Sequence, residues 1–576
     1  MTTTETEVAI GATGALRAFN EAGVLDVSDI HVAQRLCALG KEPDERVALA
    51  VALVVRALRG GSVCLDLPTA AETVGSAGLP WPDAPAWLSA VRASPLLGEP
   101  PVLRLDADRL LYLDRYWREE TQVRDDLLAL LARGPAPAAP APERLFPAAY
   151  PEQRRAAEIA LCQPVTVLTG GPGTGKTTTI ARLLALAAER AELAGEPRPR
   201  IALAAPTGKA AARLQEAVAD QLAGLAAVDR ARLAELNAVT LHRLLGSRPD
   251  SSTRFRHDRS NRLPHDLIVV DEMSMVSLTL MARLLEAVRP DARLVLVGDA
   301  DQLASVEAGA VLADLVDGLS ARDDVRVAAL RTSHRFGGSI GALADAVRVG
   351  DADRALSVLR SGAADVEFLE CAEGEDPSQR LRAVLVPHAL RLREAALLGA
   401  ADVALARLDE HRLLCAHRRG PFGVAHWNAT VQSWICEETG QPPWSDWYAG
   451  RPLLVTANDY GLRVYNGDTG VAVAGPDGLR AVIAGAAGAA SFATSRLGDV
   501  ETMHAMTVHK SQGSQAEEVT VLLPPQDSRL LTRELFYTAV TRAKTRVRVV
   551  GSPDAVRAAI GRRAVRATGL RQRLRG

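Results

Sequence analysis

The chain has 576 residues, 48% hydrophobic and 24% charged, with a formal net charge of −2. This length exceeds what one hydrophobic core organises, so several domains are expected, and the balanced charge excludes a strongly basic protein. No apolar run reaches the length of a transmembrane helix and no basic leader precedes the first residues, which predicts a cytoplasmic protein without a membrane partner. The six cysteines form no CxxC pair and indicate free thiols rather than a metal centre.

Residues 1–133 are predicted to be a mainly helical domain, because apolar residues recur at helical spacing through HVAQRLCALG and DERVALAVALVVRAL. A strand-like GGSVCLDL and a last helix over 116–131 complete it. The Pro/Ala-rich stretch in 134–144 predicts a stiff, extended linker, since repeated proline prevents a helix.

Beyond the linker, short apolar strands alternate with helical stretches, which predicts an α/β fold with parallel sheets. Residues 145–335 contain PVTVLTG, RIALAAPT, DLIVVDE and ARLVLVGD, and form a first predicted α/β domain. A second set, HRLLCAH, EEVTVLLP and RVRVVGS, predicts another α/β domain built from 336–447 and 504–576. Between these two pieces, 448–503 is rich in β-forming residues and glycine turns, and is predicted to be a small inserted barrel.

The strongest chemical signal is a GxxxxGK[ST] pattern between a predicted strand and a predicted helix. Glycines let backbone N–H groups curl around phosphates at a helix N-terminus, where partial positive charge favours anions. Lys176 is then expected to hold the β- and γ-phosphates, and Thr177 to hold Mg²⁺. The pattern with the threonine that follows it comprises Gly170, Gly171, Pro172, Gly173, Thr174, Gly175, Lys176, Thr177 and Thr178.

Asp271 and Glu272 close the apolar strand DLIVV about 95 residues later. In P-loop ATPases one such carboxylate holds Mg²⁺ while its neighbour polarises the attacking water. A DE pair alone is often a solvated turn, but together with the phosphate loop it predicts ATP hydrolysis.

Lysine usage supports the same reading. Only five of the 67 basic residues are lysines, namely Lys41, Lys176, Lys209, Lys510 and Lys544, and four of these lie in the motifs described here. Where arginine replaces most lysines, the survivors mark positions at which a guanidinium cannot substitute for an ammonium.

Eight segments in order resemble the motifs of superfamily 1 helicases, most closely the RecD branch, whose members are alpha subunits of exodeoxyribonuclease V (RecBCD). These segments are TGGPGTGKTT, APTGKAAARL, LHRLLG, VVDEMSM, GDADQLASV, SHRF, TVHKSQGSQ and FYTAVTRAK. The N-terminal GGSVCLDL and LYLDRYWREE, and NDYGLRVYNGDTG in the insert, also resemble RecD. The resemblance implies two RecA-like motor domains, an SH3-like inserted barrel and an ATP-dependent 5′-to-3′ DNA helicase.

Site roles follow from the resemblance. Gln153 would read adenine, Gln302 would sense the γ-phosphate, and Arg335 and Arg542, the latter in the second motor domain, would act as arginine fingers. An interdomain salt bridge is the alternative for either arginine. Gln515 stands where many relatives carry glutamate, so a charge-dependent contact near the ribose is in doubt.

The resemblance also assigns the DNA contacts. Short hydroxyls, amides and cations beyond strand ends suit phosphate recognition without sequence preference. The expected contacts are Thr207, Lys209, Thr240, His242, Thr507, His509 and Lys510. His242 and His509 are alternatively core histidines. Four arginines within 252–264 suggest either a strand-separating hairpin or a solvated basic loop.

The function that these observations favour is a helicase subunit that acts with RecB-like and RecC-like partners on single-stranded DNA and duplex ends. No clustered carboxylates with a lysine suggest a nuclease site, and the apolar helices of 1–133 suit docking to a partner. The alternatives are a stand-alone helicase and a non-catalytic docking subunit. The intact Lys176, Asp271 and Glu272 argue against a non-catalytic docking subunit.

Overall fold

The computed structural model of the chain describes residues 8–575 except 76–77, 138–139, 234–235, 249–250, 323, 325–326, 335–337, 373–374, 442–444, 460 and 486–487. None of the helices in this described part is both long and apolar enough to cross a membrane.

The N-terminal unit is built from six helices and a small antiparallel sheet in the order β1-β3-β2. The third helix, α3, is its centre, with every residue from Leu49 to Val54 buried. In chain order the elements are α1 (Gly14–Glu21), α2 (Val27–Gly40), α3 (Glu45–Arg59), β1 (Leu65–Asp66), α4 (Ala70–Val74), α5 (Ala84–Ala93), β2 (Leu103–Asp106), β3 (Leu110–Leu113) and α6 (Asp114–Leu131).

The first α/β domain carries a six-stranded parallel sheet in the order β11-β4-β10-β9-β5-β6. The four strands predicted from the sequence are confirmed as β4, β5, β9 and β10. Its elements are α7 (Pro151–Cys162), β4 (Val165–Gly170), α8 (Lys176–Leu193), β5 (Ile201–Ala205), α9 (Gly208–Ala223), α10 (Ala227–Arg232), β6 (Ala238–Thr240), α11 (Leu241–Leu245), β7 (Ser247–Arg248), β8 (Ser251–Phe255), β9 (Leu267–Val270), α12 (Leu278–Ala287), β10 (Arg293–Gly298), α13 (Val311–Ser320) and β11 (Ala328–Leu330).

The second α/β domain has a five-stranded parallel sheet in the order β12-β21-β20-β13-β19. Its first part comprises α14 (Ser339–Val349), α15 (Ala352–Leu359), β12 (Val366–Glu370), α16 (Ser378–Leu397), α17 (Ala401–Glu410), β13 (His411–Cys415) and α18 (Val424–Thr439). The insert follows as β14 (Pro452–Val455), β15 (Thr469–Gly475), β16 (Gly478–Gly485), β17 (Gly488–Ala493) and β18 (Val500–Thr502). The chain then adds β19 (Ala505–Thr507), β20 (Ala516–Leu522), α19 (Arg533–Val540), β21 (Ala543–Gly551), α20 (Pro553–Gly561) and α21 (Leu570–Arg575).

The insert is an antiparallel sheet in the order β17-β16-β15-β14-β18, with a small core of its own around Leu453, Val455 and Ile483. The insert therefore forms a sheet of its own, distinct from the parallel sheet of the second α/β domain. The sequence prediction of a β-rich insertion over 448–503 agrees with these strand positions.

The last residues depart from the expected domain division. The sequence assigned all of 504–576 to the second α/β domain, but α21 packs against α13 of the first α/β domain and against α6 of the N-terminal unit. A Cβ on Gly318 of α13 would lie only 2.8 Å from Leu574 Cβ, which measures how closely α21 approaches. Burial of the apolar residues Leu570 and Leu574 is what draws this tail across the domain boundary.

The basic segment within 252–264 also differs from expectation. The hairpin is formed earlier, by β7 and β8, with Ser247 opposite Phe255. Arg259 forms an ion pair of 2.7 Å with Asp126 of α6, and Arg262 donates to the Val288 carbonyl. Two of the four arginines thus hold the loop to its own domain and its neighbour.

Candidate nucleotide and DNA site

The phosphate loop connects β4 to α8, which begins at Lys176. Gly173 and Gly175 adopt φ values of 78° and 86°, in the left-handed region that favours glycine. Lys176 Nζ lies over the loop and donates to the Gly170 and Gly171 carbonyls at 2.5 and 2.9 Å. The curled backbone, the helix start and the ammonium together fit a polyphosphate. Thr178 lies half-buried in the first turn of α8.

Gln153 lies under this loop rather than beside it. Its side chain is 2% exposed, and its Nε2 donates to the Thr174 carbonyl at 2.9 Å. The same atom is 3.2 Å from His334 Nε2, whose backbone N–H donates to the Gly173 carbonyl at 2.8 Å. In this geometry the amide supports the phosphate loop, and its role in reading adenine stays a prediction.

Asp271 and Glu272 follow β9 at the carboxyl edge of the sheet. Burial first, and then the Glu272 carboxylate, raise the pKa of Asp271 to about 7, whereas nearby Lys176 opposes this shift. Glu272 has φ 51°, an uncommon conformation for a non-glycine residue that occurs at functional sites. A hard cation favours such carboxylate oxygens and the Thr177 hydroxyl, so this donor set fits Mg²⁺.

Gln302 and Arg542 join the two α/β domains. Arg542 Nη2 donates to Gln302 Oε1 at 2.9 Å, although the two residues are 240 positions apart. Arg542 also donates to the carbonyls of Thr538 and Ser514, and is only 4% exposed. The contact with Gln302 is a hydrogen bond rather than a salt bridge, because the acceptor is a neutral amide.

Gln515 and Arg335 are the remaining nucleotide-site predictions. The Arg542 carbonyl accepts from Ala516 N–H and Ser514 O accepts from the guanidinium, so the loop carrying Gln515 lies against Arg542. Arg335 lies outside the described residues. His334 immediately before it is hydrogen-bonded to the phosphate loop.

On the first domain, the predicted DNA contacts lie at the ends of β5 and β6. Thr207 and Thr240 cap α9 and α11, accepting from Ala210 N–H and Arg243 N–H at 3.2 Å each. His242 is exposed, so it is not a core histidine. Lys209 is half-buried, and burial followed by Arg412 and Arg213 lowers its pKa to about 7.

On the second domain, Thr507 ends β19, and His509 and Lys510 follow it. Thr507 Oγ1 accepts from the Lys510 backbone N–H at 3.2 Å, and Lys510 Nζ forms an ion pair of 2.8 Å with Glu501 in the insert. Burial and the nearby Arg566 lower the pKa of the half-buried His509, which keeps the ring neutral near pH 7.

The sequence reasoning missed several residues that complete the site. Asp299 and Tyr537 meet through a hydrogen bond of 3.2 Å, and Leu303 N–H donates to Thr538 Oγ1 at 2.9 Å. Glu152 accepts from the Arg331 and Thr332 N–H groups, which holds the segment that leads to Arg335. Asp299, Tyr537 and Thr538 lie inside the motifs quoted above, so the sequence could have marked them as candidate site residues. Glu152 lies in none of those motifs.

Comparisons with family models and with known proteins identify relatives of this chain. The family model of the RecBCD enzyme subunit RecD N-terminal domain matches residues 21–112, an AAA domain model matches 153–308, and a UvrD-like helicase C-terminal domain model matches 502–550. The RecBCD enzyme subunit RecD of Mycobacterium tuberculosis is 74% identical, over 100% of this chain and 99% of that protein.

Two further relatives extend the comparison. The RecBCD enzyme subunit RecD of Mycolicibacterium smegmatis is 70% identical, over 97% of this chain and 99% of its own length. The ATP-dependent RecD2 DNA helicase of Deinococcus radiodurans is 32% identical, over 81% of this chain and 58% of that protein.

Proposed function

The chain belongs to the RecD family of RecBCD enzyme subunits, and we propose that it moves 5′-to-3′ along single-stranded DNA as one motor of a RecBCD-like complex. It is an ATP-dependent DNA helicase of superfamily 1. Its proposed task is to process duplex ends for recombinational repair in the cytoplasm, beside RecB-like and RecC-like partners. The direction of movement is inferred from the resemblance of its motifs alone.

The contact between Arg542 and Gln302 carries the proposal, because it places a cation of the second motor domain against the loop that follows β10 of the first. Charge grows on the γ-phosphoryl oxygens during transfer and needs a cation held in place. A cation supplied by the opposite domain is available only while the cleft is closed. Hydrolysis is thereby linked to relative movement of the domains, which a translocating motor requires.

The other site residues have distinct proposed tasks. Lys176 and the amides of the phosphate loop bind the β- and γ-phosphates, and Glu272 orients and polarises the attacking water. Thr177 and Asp271 would hold Mg²⁺, which neutralises phosphate charge when bound. Gln302 links the γ-phosphate to the domain contact, with Arg335 as a second finger.

The DNA strand is proposed to cross both motor domains along Thr207, Lys209, Thr240, His242, Thr507, His509 and Lys510. Supporting this path, the insert lies against it at two points. A Cβ on Gly208 would be 3.2 Å from Tyr465 Cβ, and Glu501 binds Lys510. We propose that the insert, an SH3-like barrel, covers the strand from the side of Lys209.

Residues 1–133 are proposed to attach the motor to a partner subunit. Ile10, Val32 and Leu39 expose 89%, 41% and 64% of their surface on this unit, an apolar set that is available for docking. Leu39→Asp should weaken co-elution with the partner subunits during size-exclusion chromatography. Undiminished co-elution would place the docking surface elsewhere.

Direction is tested with partial duplexes that carry one single-stranded tail. Using the full chain and ATP, a tail with a free 5′ end should support unwinding, whereas a 3′ tail should not. Equal unwinding from both tails would contradict the proposed direction. Absence of any single-strand-stimulated ATP hydrolysis would contradict the motor function itself.

A further inference from the structure

Asp299 lies at the centre of the contact between the motor domains. This carboxylate follows β10, is 2% exposed, and its Oδ2 accepts from Gln302 Nε2 at 2.9 Å and from the Tyr537 hydroxyl at 3.2 Å. Its Oδ1 accepts from the Asp301 backbone N–H at 3.1 Å. Asp299 thus fixes one side of the Gln302 amide while Arg542 fixes the other. Since a guanidinium only donates, the amide oxygen of Gln302 must face Arg542 and its nitrogen must face Asp299.

Tyr537 reaches this carboxylate from α19 of the second domain, and its hydroxyl also lies against the phosphate loop. A Cβ on Gly171 would be only 2.9 Å from Tyr537 Oη, so a side chain at position 171 would displace this phenol. The phenol therefore contacts both the phosphate loop and Asp299, the residue that holds the Gln302 amide. Burial first, and then Asp299 and Asp301, raise the pKa of Tyr537 well above its ordinary value, which keeps the hydroxyl protonated as a donor.

Neighbouring hydrogen bonds hold α19 in this place. Leu303 N–H donates to Thr538 Oγ1 at 2.9 Å, and Gln512 Nε2 donates to the Leu303 carbonyl at 2.7 Å. The backbone just after Gln302 is consequently bound to two segments of the second domain. A displacement of α19 would therefore change the positions of Asp299 and Gln302 directly.

We infer that Tyr537 is a positioning residue for ATP hydrolysis, whose hydroxyl fixes Asp299 and through it aims the Gln302 amide when the motor domains close. The inference rests on the proposed function and deepens it, because it names the group that transmits domain closure to the γ-phosphate sensor. Tyr537 itself performs no chemical step. Its loss should lower turnover without weakening ATP binding, since the phosphate loop keeps its own contacts.

The test compares Tyr537→Phe with wild type in the full chain, by steady-state ATP hydrolysis with saturating single-stranded DNA. A hydrogen bond to a charged group supports a decrease of kcat by roughly tenfold, while the KM for ATP and the Kd for single-stranded DNA stay within about twofold. Asp299→Ala removes the acceptor of the Tyr537 hydroxyl and should lower kcat at least as much. Adding Tyr537→Phe to Asp299→Ala should then have little further effect, because both changes break one linkage.

Tyr112→Phe is the matched control, because its hydroxyl also donates to a buried carboxylate, Glu120, at 3.1 Å, far along the chain from the nucleotide motifs. It should leave kcat within about twofold. If Tyr537→Phe keeps the wild-type kcat, or raises KM in proportion to its loss of kcat, the positioning role is wrong. If the wild-type chain lacks DNA-stimulated hydrolysis, the proposed function fails instead, and the positioning role fails with it.

Discussion

Arg573 in the last helix lies 3.1 Å from Glu120 in α6, an ion pair that joins the C-terminal tail to the N-terminal unit. Glu120 is completely buried and also accepts hydrogen bonds from Tyr112, Thr568 and the Gly569 N–H. The N-terminal unit, the first motor domain and the C-terminal tail therefore share one packed region. Deleting residues 1–133 would uncover that region, so docking is better tested by single surface substitutions.

Arg573→Ala should lower the free energy of unfolding by about 3–5 kcal/mol, because it leaves the buried Glu120 carboxylate without its ion-pair partner. Thermal and urea unfolding of the full chain measure this change. Adding Glu120→Gln should recover part of the loss, since a neutral amide costs less to bury. Arg575→Ala, at an exposed neighbouring position, should change stability by less than about 0.5 kcal/mol. Equal effects at both arginines would show that the ion pair contributes nothing.

Lys176→Ala should abolish ATP hydrolysis and leave binding of single-stranded DNA largely intact, because the phosphate loop and the proposed DNA path are separate surfaces. Fluorescence anisotropy with labelled DNA and a coupled ATPase assay measure the two properties. Lys41→Ala is the control, since Lys41 is exposed in the N-terminal unit, outside the quoted motifs, and should keep wild-type turnover. An ATP hydrolysis rate of Lys176→Ala above about a tenth of the wild-type rate would contradict the role of Lys176 in binding the β- and γ-phosphates.

Arg542→Ala should lower kcat on the order of 10³-fold with a much smaller change in ATP affinity, as expected for a finger that acts on the transition state. Arg335→Ala should behave in the same way. Arg546→Ala is a suitable control, because this exposed side chain donates to the Ala364 carbonyl instead. Parallel losses of ATP binding and turnover in Arg542→Ala would identify a ground-state ligand or a structural residue.

The pH dependence of DNA binding tests Lys209. Its pKa of about 7 means that the ammonium is charged below that pH and neutral above it. A phosphate contact should therefore strengthen single-strand binding at pH 6 relative to pH 8, by up to about tenfold for one charge-assisted hydrogen bond. Desolvation lowers the pKa of His242 and His509, which works against either ring gaining charge at pH 6.

The controls for this experiment are two substitutions at the same position. Lys209→Arg should bind tightly at both pH values, because a guanidinium stays charged, and Lys209→Gln should bind weakly at both. Both variants should lose the difference between pH 6 and pH 8. If the wild type and Lys209→Arg show the same pH dependence, another group is responsible.

The sequence by itself determined the chemistry of the nucleotide site. A phosphate loop depends on glycines, one lysine and one hydroxyl at fixed spacing, and an acidic pair at a strand end is equally local, so Gly173, Lys176 and Asp271 were readable without a fold. The strands β4, β5, β9 and β10 were equally accessible, because buried parallel strands are short, continuous apolar runs.

Only the tertiary structure decided which distant residues meet. The contacts of Tyr537 with Asp299 and of Arg573 with Glu120 join positions hundreds of residues apart, and nothing local in the sequence encodes such a pairing. The sequence analysis assigned the tail helix α21 to the second motor domain, because a helical pattern does not specify which domain the helix packs against. The position of α21 depends on the apolar surface that it covers, and that surface belongs to α6 and α13.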